Sequence, residues 1–451
     1  MKKISLFSLK ILLTSFLIIH ASAEDKREQP NVLLILADDL GFADVGFNGS
    51  KDIPTPHIDA IAKAGVKFES GYVTHPYCSP SRAAIMAGRY QQRFGHEHNP
   101  QEASETNNDG IPTSEILLPA RLKEVGYTTG LIGKWHLGVA DQFKPLNRGF
   151  DEFFGFLGGG YNYFGQPGKE GAPIYRNEEA VDPESITYLT DTFGDEAVDF
   201  VQRHKGKPWF LFLSFNAPHA PDQATQEYLD RFPNLTGNRK TYAAMISAMD
   251  DAIGKVMAEL KATNQEKETL VFFLSDNGGR TGPADNQPLN GHKGYTFEGG
   301  VRVPFTASWP GHIPENITYE HPVSSLDIHA TALALAGASL DDTEGVNLLP
   351  FVTGEDSGAP HDVLFWRVAG GWDYAVRQRK DKMVKPGWSD RQELYNLEAD
   401  LSESHNTAKG HPEVIDRMQA LYEKWNAKNI EPLWSDPHKE NVAKERAAET
   451  K

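Results

Sequence analysis

Cys78 is the only cysteine among 451 residues, and it opens the run Cys78-Ser79-Pro80-Ser81-Arg82. It cannot form an internal disulfide, so chemistry is the better explanation for it. Pro80 suits the first turn of a helix and Ala83 to Met86 can continue one, which places the thiol at a helix N-terminus, where negative charge is favoured. Asp38-Asp39 and Asp276-Asn277 supply three carboxylates and one amide carbonyl. This is a hard, oxygen-only set that suits Ca2+, with Mg2+ possible, better than zinc. Alone, each pair reads as a helix cap or a tight turn. His136 and His219 can move protons near neutral pH, while Arg82, Lys134 and Lys293 can hold the oxygens of an anion as charge shifts. A single histidine is more often structural, and a single loop lysine is more often solvated. The set as a whole points to catalysis on an anionic group.

The elements that must position these residues are short apolar runs. Val32 to Ala37 leads into Asp38-Asp39, Tyr127 to Ile132 into Gly133-Lys134-Trp135-His136, Trp209 to Phe215 into Asn216-Ala217-Pro218-His219, and Leu270 to Ser275 into Asp276-Asn277-Gly278-Gly279. These are the signatures of buried parallel strands, and in open α/β sheets ligands bind at the carboxyl ends of the strands. Met245, Ile246, Met249, Ile253, Val256, Met257 and Leu260 recur at helical spacing, and Thr55-Pro56 starts a second helix over Ile58 to Ala64. Beyond Gly354, Val363 to Val368, Tyr374 to Arg379 and Glu393 to Leu397 alternate as antiparallel strands, and Pro412 to Ala427 is an amphipathic helix. The fold class expected is α/β: a large, mixed, mostly parallel sheet flanked by helices, with a smaller C-terminal α+β subdomain.

Bulk properties limit the partners. Lys2 and Lys3, the apolar run Ile11 to Ile19 and Ala21-Ser22-Ala23 match a secretory signal peptide over 1–23, so a periplasmic or secreted location is expected. No segment approaches the ~18 apolar residues of a membrane span. The formal charge of −17 argues against nucleic acid, because binding there depends on Lys and Arg neutralising phosphates. An exported chain with no cysteine pair must draw its stability from a large core. Asn48-Gly49-Ser50, Asn234-Leu235-Thr236 and Asn316-Ile317-Thr318 would be glycosylation acceptors in a eukaryote.

In this order and spacing the chain resembles the type I sulfatases, the formylglycine-dependent enzymes of alkaline-phosphatase-like fold. The resemblance runs from Asn31 to about Asn406, through Asp38-Asp39, Cys78-Ser79-Pro80-Ser81-Arg82 with Gly88-Arg89, Gly133-Lys134-Trp135-His136, His219, Asp276-Asn277 and Lys293. It extends to Glu393-Leu394-Tyr395-Asn396-Leu397 with Asp400 and Glu403. It implies that a formylglycine-generating maturation enzyme oxidises Cys78 to 3-oxoalanine (formylglycine), whose hydrated diol is the nucleophile toward sulfur. It also implies one divalent metal held by Asp38, Asp39, Asp276, Asn277 and the modified Cys78. Arg82 and Lys134 would stabilise the diol, His136 would take a proton during sulfate release, and His219 with Lys293 would bind sulfate and assist the departing alcohol. The implied organisation is a leader at 1–23, a catalytic α/β domain at 24–355, a C-terminal subdomain at 356–435 and a charged tail at 436–451.

The resemblance places the substrate cleft beside the C-terminal subdomain. Trp372 and Trp388 could stack on sugar rings, Arg367 and Arg377 could pair with a carboxylate or second sulfate, and Tyr161 and Tyr163, with Asn162 between them, could line the wall. For each of these the alternative is plain packing. The expected activity is exo-desulfation of sulfated polysaccharide fragments, algal glycans ahead of animal glycosaminoglycans. The alternatives are a phosphodiester or phosphonate monoester hydrolase of the same fold and a non-catalytic glycan-binding relative. Loss of the cysteine or of a metal ligand would mark the last, and none is lost. Oligomeric state leaves no mark in the sequence.

Overall fold

The computed structural model describes residues 29–101, 108–165 and 172–435. The expected leader and the charged tail lie outside the described residues.

The apolar runs form strands because each is buried on both faces, as the unbroken burial of Asn31–Ala37, Trp209–Ser214 and Thr269–Ser275 shows. They belong to a ten-stranded sheet whose spatial order is Ile317–Tyr319, Val66–Phe68, Phe305–Ser308, Thr269–Ser275, Asn31–Ala37, Trp209–Ser214, Thr128–Lys134, Glu152–Phe156, Tyr175–Arg176, Glu179–Ala180. The five from Thr269–Ser275 to Glu152–Phe156 are parallel, and antiparallel neighbours flank them on both sides.

Alternation along the central strand feeds two cores. Leu33, Ile35 and Ala37 pack with helices Leu189–Arg203 and Gly237–Ala262. Val32, Leu34 and Leu36 pack on the other face with helices Cys78–Ala87, Leu118–Glu124 and Leu326–Ala336. Each fully buried Leu, Ile or Phe contributes about 1.5–3 kcal/mol relative to exposure, so two such layers support the chain without disulfides.

A second sheet is antiparallel throughout, in the order Val363–Val368, Asp373–Gln378, Asp381–Lys385, Glu393–Asn396. Its third strand was not expected from the sequence, because Lys382 occupies a buried position and breaks the apolar alternation. On one face, Tyr374, Val376, Met383 and Leu394 pack against Met418, Tyr422 and Trp425 of helix Pro412–Asn426. On the other, Trp366, Ala375, Val384 and Tyr395 pack against Tyr72, Phe297 and Val301 of the larger part. The small sheet therefore lies between its own helix and the segment that follows Lys293.

Candidate active site

Four strand ends converge at the carboxyl edge of the large sheet. Asp38 and Asp39 follow Asn31–Ala37, and the Asp38 amide donates to the Ala217 carbonyl at 3.0 Å, tying this end to the loop that carries His219. Asp39 adopts a left-handed backbone (φ 64°), as does His136 (φ 63°). Such conformations cost energy in residues other than glycine and concentrate at functional sites. Gly133 lets the neighbouring strand close in: a Cβ there would lie 1.9 Å from the Ser214 carbonyl oxygen. That close approach delivers Lys134 to the site.

Cys78 is the first residue of a fully buried helix, as its proline and alanines predict. Its thiol donates toward Asp38 Oδ1 at 3.4 Å and lies 3.8 Å from Asp39 Oδ1. Lys293 Nζ donates to Cys78 Sγ at 3.2 Å and to Asp39 Oδ2 at 2.8 Å. Lys134 Nζ donates to Asp38 Oδ2 at 2.6 Å. Arg82 points inward from the same helix, with Nε on Asp276 Oδ2 at 2.8 Å and Nη1 on the Lys134 carbonyl at 3.1 Å and Ser214 Oγ at 2.5 Å. His219 Nε2 lies 3.6 Å from Asp39 Oδ2, and its Nδ1 donates to the Ala220 carbonyl at 2.7 Å.

Burial sets the protonation states, and the charges then sort them. Burial would raise the Asp38 carboxyl, but Lys134, His219, Arg82 and Lys293 outweigh it and hold the group well below the usual range. Asp39 is lowered in the same way, chiefly by Lys293 against burial. Asp276 is raised to about 6 by burial and by Asp38, in spite of Arg82. Burial holds the Cys78 thiol well above its ordinary value. It pushes His136 well below its ordinary value, with Lys134 and Arg82 adding to the effect, and lowers His219 as well. Both histidines are therefore held toward the neutral form.

The residues fit a hard cation. Donor atoms of Asp38, Asp39, Cys78 and His219 all lie within 4.8 Å of one another. Asn277 turns its amide nitrogen to Asp39 Oδ1 at 2.8 Å and leaves its buried Oδ1 without a hydrogen-bond partner. Asp276 adjoins this group, its Oδ2 accepting from Arg82 and its Oδ1 from the Asp39 amide, and each oxygen keeps a further lone pair.

The expected substrate contacts divide. Tyr161 and Tyr163 are interior residues of the core, and Tyr163 Oη donates to the Asn216 and His219 carbonyls at 2.7 and 2.8 Å, so it shapes the His219 loop from behind. Arg367 is corrected from substrate contact to interior ion pair: it is buried against Glu97 and also donates to Asn426 and the Ile430 carbonyl. Arg377 is likewise buried, bonded to Tyr72 Oη and the Arg379 carbonyl. Trp372 packs against Gly387. Trp388 alone among these is widely open, at 48% exposure, with its ring stacked on Phe297 and edge-on to Tyr295. Sequence reasoning missed Ser79, whose Oγ donates to the His136 carbonyl at 2.5 Å, and the Arg280–Asp222 pair joining the two histidine- and aspartate-bearing loops. Their residue types carry no signal until the strand ends are brought together.

The mostly parallel sheet, its two helical layers and a charged cluster at the strand ends define an alkaline-phosphatase-like α/β protein. The sulfatase family model matches residues 30–338, and the chain belongs to that family. It is 37% identical to N-acetylgalactosamine-6-sulfatase of Mus musculus over 349 residues, covering 72% of this chain. The match spans 66% of that relative's own length. It is 32% identical to arylsulfatase G of Rattus norvegicus, over 90% of this chain and 88% of that protein. Among solved structures it is similar to Ps i-CgsB in complex with k-i-k-neocarrahexaose, at 40% identity and TM-score 0.87, covering 92% of this chain and 96% of the other.

Proposed function

We propose that the chain hydrolyses sulfate esters of glycans outside the cytoplasm, removing sulfate in an exo manner from oligosaccharides of the neocarrahexaose kind ahead of animal glycosaminoglycans. The observation that carries this reading is the placement of Cys78 Sγ between Asp38 and Lys293, inside a cluster of carboxylates, lysines and neutral histidines. The preference for substrate rests on the 40% identity to Ps i-CgsB over nearly the whole chain. Cys78 converted to formylglycine would supply a hydrated aldehyde as nucleophile, and a calcium-type ion on Asp38, Asp39, Asp276, Asn277 and the Cys78 position would supply charge for sulfate oxygens.

The remaining roles belong to the chain's own side chains. Lys134 and Arg82 hold negative charge near Asp38 in a buried setting, where such contacts are stronger than in water. Lys293, 3.2 Å from Cys78 Sγ, can bind a sulfate oxygen carried at that position. His136, whose imidazole burial keeps neutral, is the group that takes a proton during sulfate release. The Ala220 carbonyl accepts the His219 Nδ1 proton, which leaves Nε2 as the atom that receives or returns a proton toward Asp39 and the leaving alcohol. Trp388, whose ring is stacked on Phe297, is exposed enough to meet a sugar ring. Export by a leader at 1–23 would bring the chain to such polymers.

Desulfation of a panel of defined sulfated oligosaccharides by converted protein, with Cys78→Ala as control, tests the reading. Sulfate release from at least one glycan, absent in Cys78→Ala, is expected. Activity confined to small aryl sulfates, or higher efficiency on phosphate diesters, would overturn it.

A further inference from the structure

The segment from Asn290 to Val301 is folded tightly on itself and wedged between two parts of the site. The Gly294 amide donates to the Pro76 carbonyl at 2.9 Å, just before Cys78. A Cβ on Gly294, where φ is +97°, would come within 2.7 Å of Tyr77 Oη. On the other side, the Lys293 amide donates to the Gly279 carbonyl at 3.1 Å and the Gly278 amide to the Gly300 carbonyl at 3.0 Å, just after Asp276-Asn277. The same segment is held from behind by the small sheet. Lys382 Nζ meets Glu298 Oε1 at 2.7 Å and Glu403 Oε1 at 3.1 Å, all three side chains being fully buried. Glu403 Oε2 accepts the Glu298 amide at 2.7 Å, and Thr296 Oγ1 donates to Asp373. Tyr72 and Arg302 complete the carboxylate's partners at 2.6 and 3.3 Å.

We propose that Lys382 and Glu403 are positioning residues for Lys293: the C-terminal sheet fixes the Asn290–Val301 segment and thereby sets where the Lys293 ammonium stands relative to Cys78 and Asp39. Lys382 touches no reacting group. It acts through Glu298, whose backbone continues into Gly300 at the Asn277 loop and traces back five residues to Lys293. Without Lys382, the buried Glu298 carboxylate loses the cation that ties it to Glu403, attraction between the two parts weakens, and the segment is free to shift. A shift of about 1 Å at a catalytic group costs on the order of 100-fold in rate. The inference rests on the sulfatase reading of the site.

The experiment compares wild type, Lys382→Met, Lys382→Arg, Lys293→Met and the Lys382→Met/Lys293→Met double variant, each with Cys78 conversion verified by mass. Lys382→Met is expected to lower kcat about 100-fold with little change in KM, and Lys382→Arg to recover most of the loss. In the Lys293→Met background, Lys382→Met should add almost nothing, because both act through one group. Hydrogen exchange of the 293–300 amides should accelerate in Lys382→Met. That readout does not depend on turnover: an inactive wild type would sink the sulfatase reading, and unchanged exchange would sink the positioning. Full kcat in converted Lys382→Met, or multiplying effects in the double variant, overturns the proposal. If Lys382→Met does not fold, Thr296→Val, which removes the other tie to the sheet, carries the same expectations and the same overturning results.

Discussion

Asn277 spends its amide nitrogen on Asp39 and keeps its buried carbonyl oxygen without a hydrogen bond, an arrangement costly enough to ask for a ligand. With Asp38 and Asp39 beside it, the ligand proposed is a hard cation, which would share those aspartates with the two lysines that now neutralise them. Calcium should therefore raise the melting temperature of wild type in a concentration-dependent way, by the equivalent of about 3 kcal/mol at a hundredfold excess over Kd. Asp39→Asn should lose most of that rise, and a chelator should reverse it. A melting curve indifferent to calcium and magnesium in the wild type contradicts a metal at these residues. The carboxylates, the cysteine and the histidines were all legible in the sequence because their chemistry is rare at strand ends. Arg367 and Arg377 were not: an arginine that satisfies a buried glutamate or tyrosine has the same letter as one that meets a substrate, and only the partners found in the fold separate them.

At the scale of elements, the small sheet carries a coupled pair of carboxylates that titrate in opposite directions. Burial lifts Glu403 to about 7, with Glu298 adding to the effect against Lys382. Glu298 is held at about 2, because Lys382, Arg302 and Arg377 outweigh its burial. The stability that comes from protonating Glu403 is full below the ordinary carboxyl range and is lost as pH rises through about 7. That from ionised Glu298 is full above the ordinary range and is lost as pH falls through about 2. Within this pair, only the Glu403 contribution changes between about pH 5 and about pH 8. The melting temperature of Glu403→Gln relative to wild type should thus move by a few degrees in the variant's favour across that interval, and a pH-independent difference would falsify the assignment. The strand that carries Lys382 was hidden from sequence reading for the same reason: a buried lysine breaks the alternation that marks a strand. The parallel strands, by contrast, showed themselves as continuous apolar runs.

Over the whole molecule, the site is assembled from distant stretches of chain. Arg82 meets Asp276 across 194 residues and Cys78 meets Lys293 across 215, while Lys382 closes the back of that segment later still. All ten residues of the Cys78 helix are buried, and among the described residues no helix is long and apolar enough to cross a membrane. The fold class and the two-part layout were legible because each core layer repeats its period along several segments. The contacts between the parts were not, since they depend on pairings that no local pattern announces. Burial of Cys78 also sets a clock. On the proposed reading, a maturation enzyme would reach the buried Cys78-Ser79-Pro80-Ser81-Arg82 run only while the chain is still open, so conversion and folding would compete in time. Folded protein carrying the unconverted thiol should stay unconverted when offered the maturation enzyme, whereas a peptide spanning the run should gain the aldehyde. Equal conversion of the two, read by mass, would show that the helix opens and that this order of events is wrong.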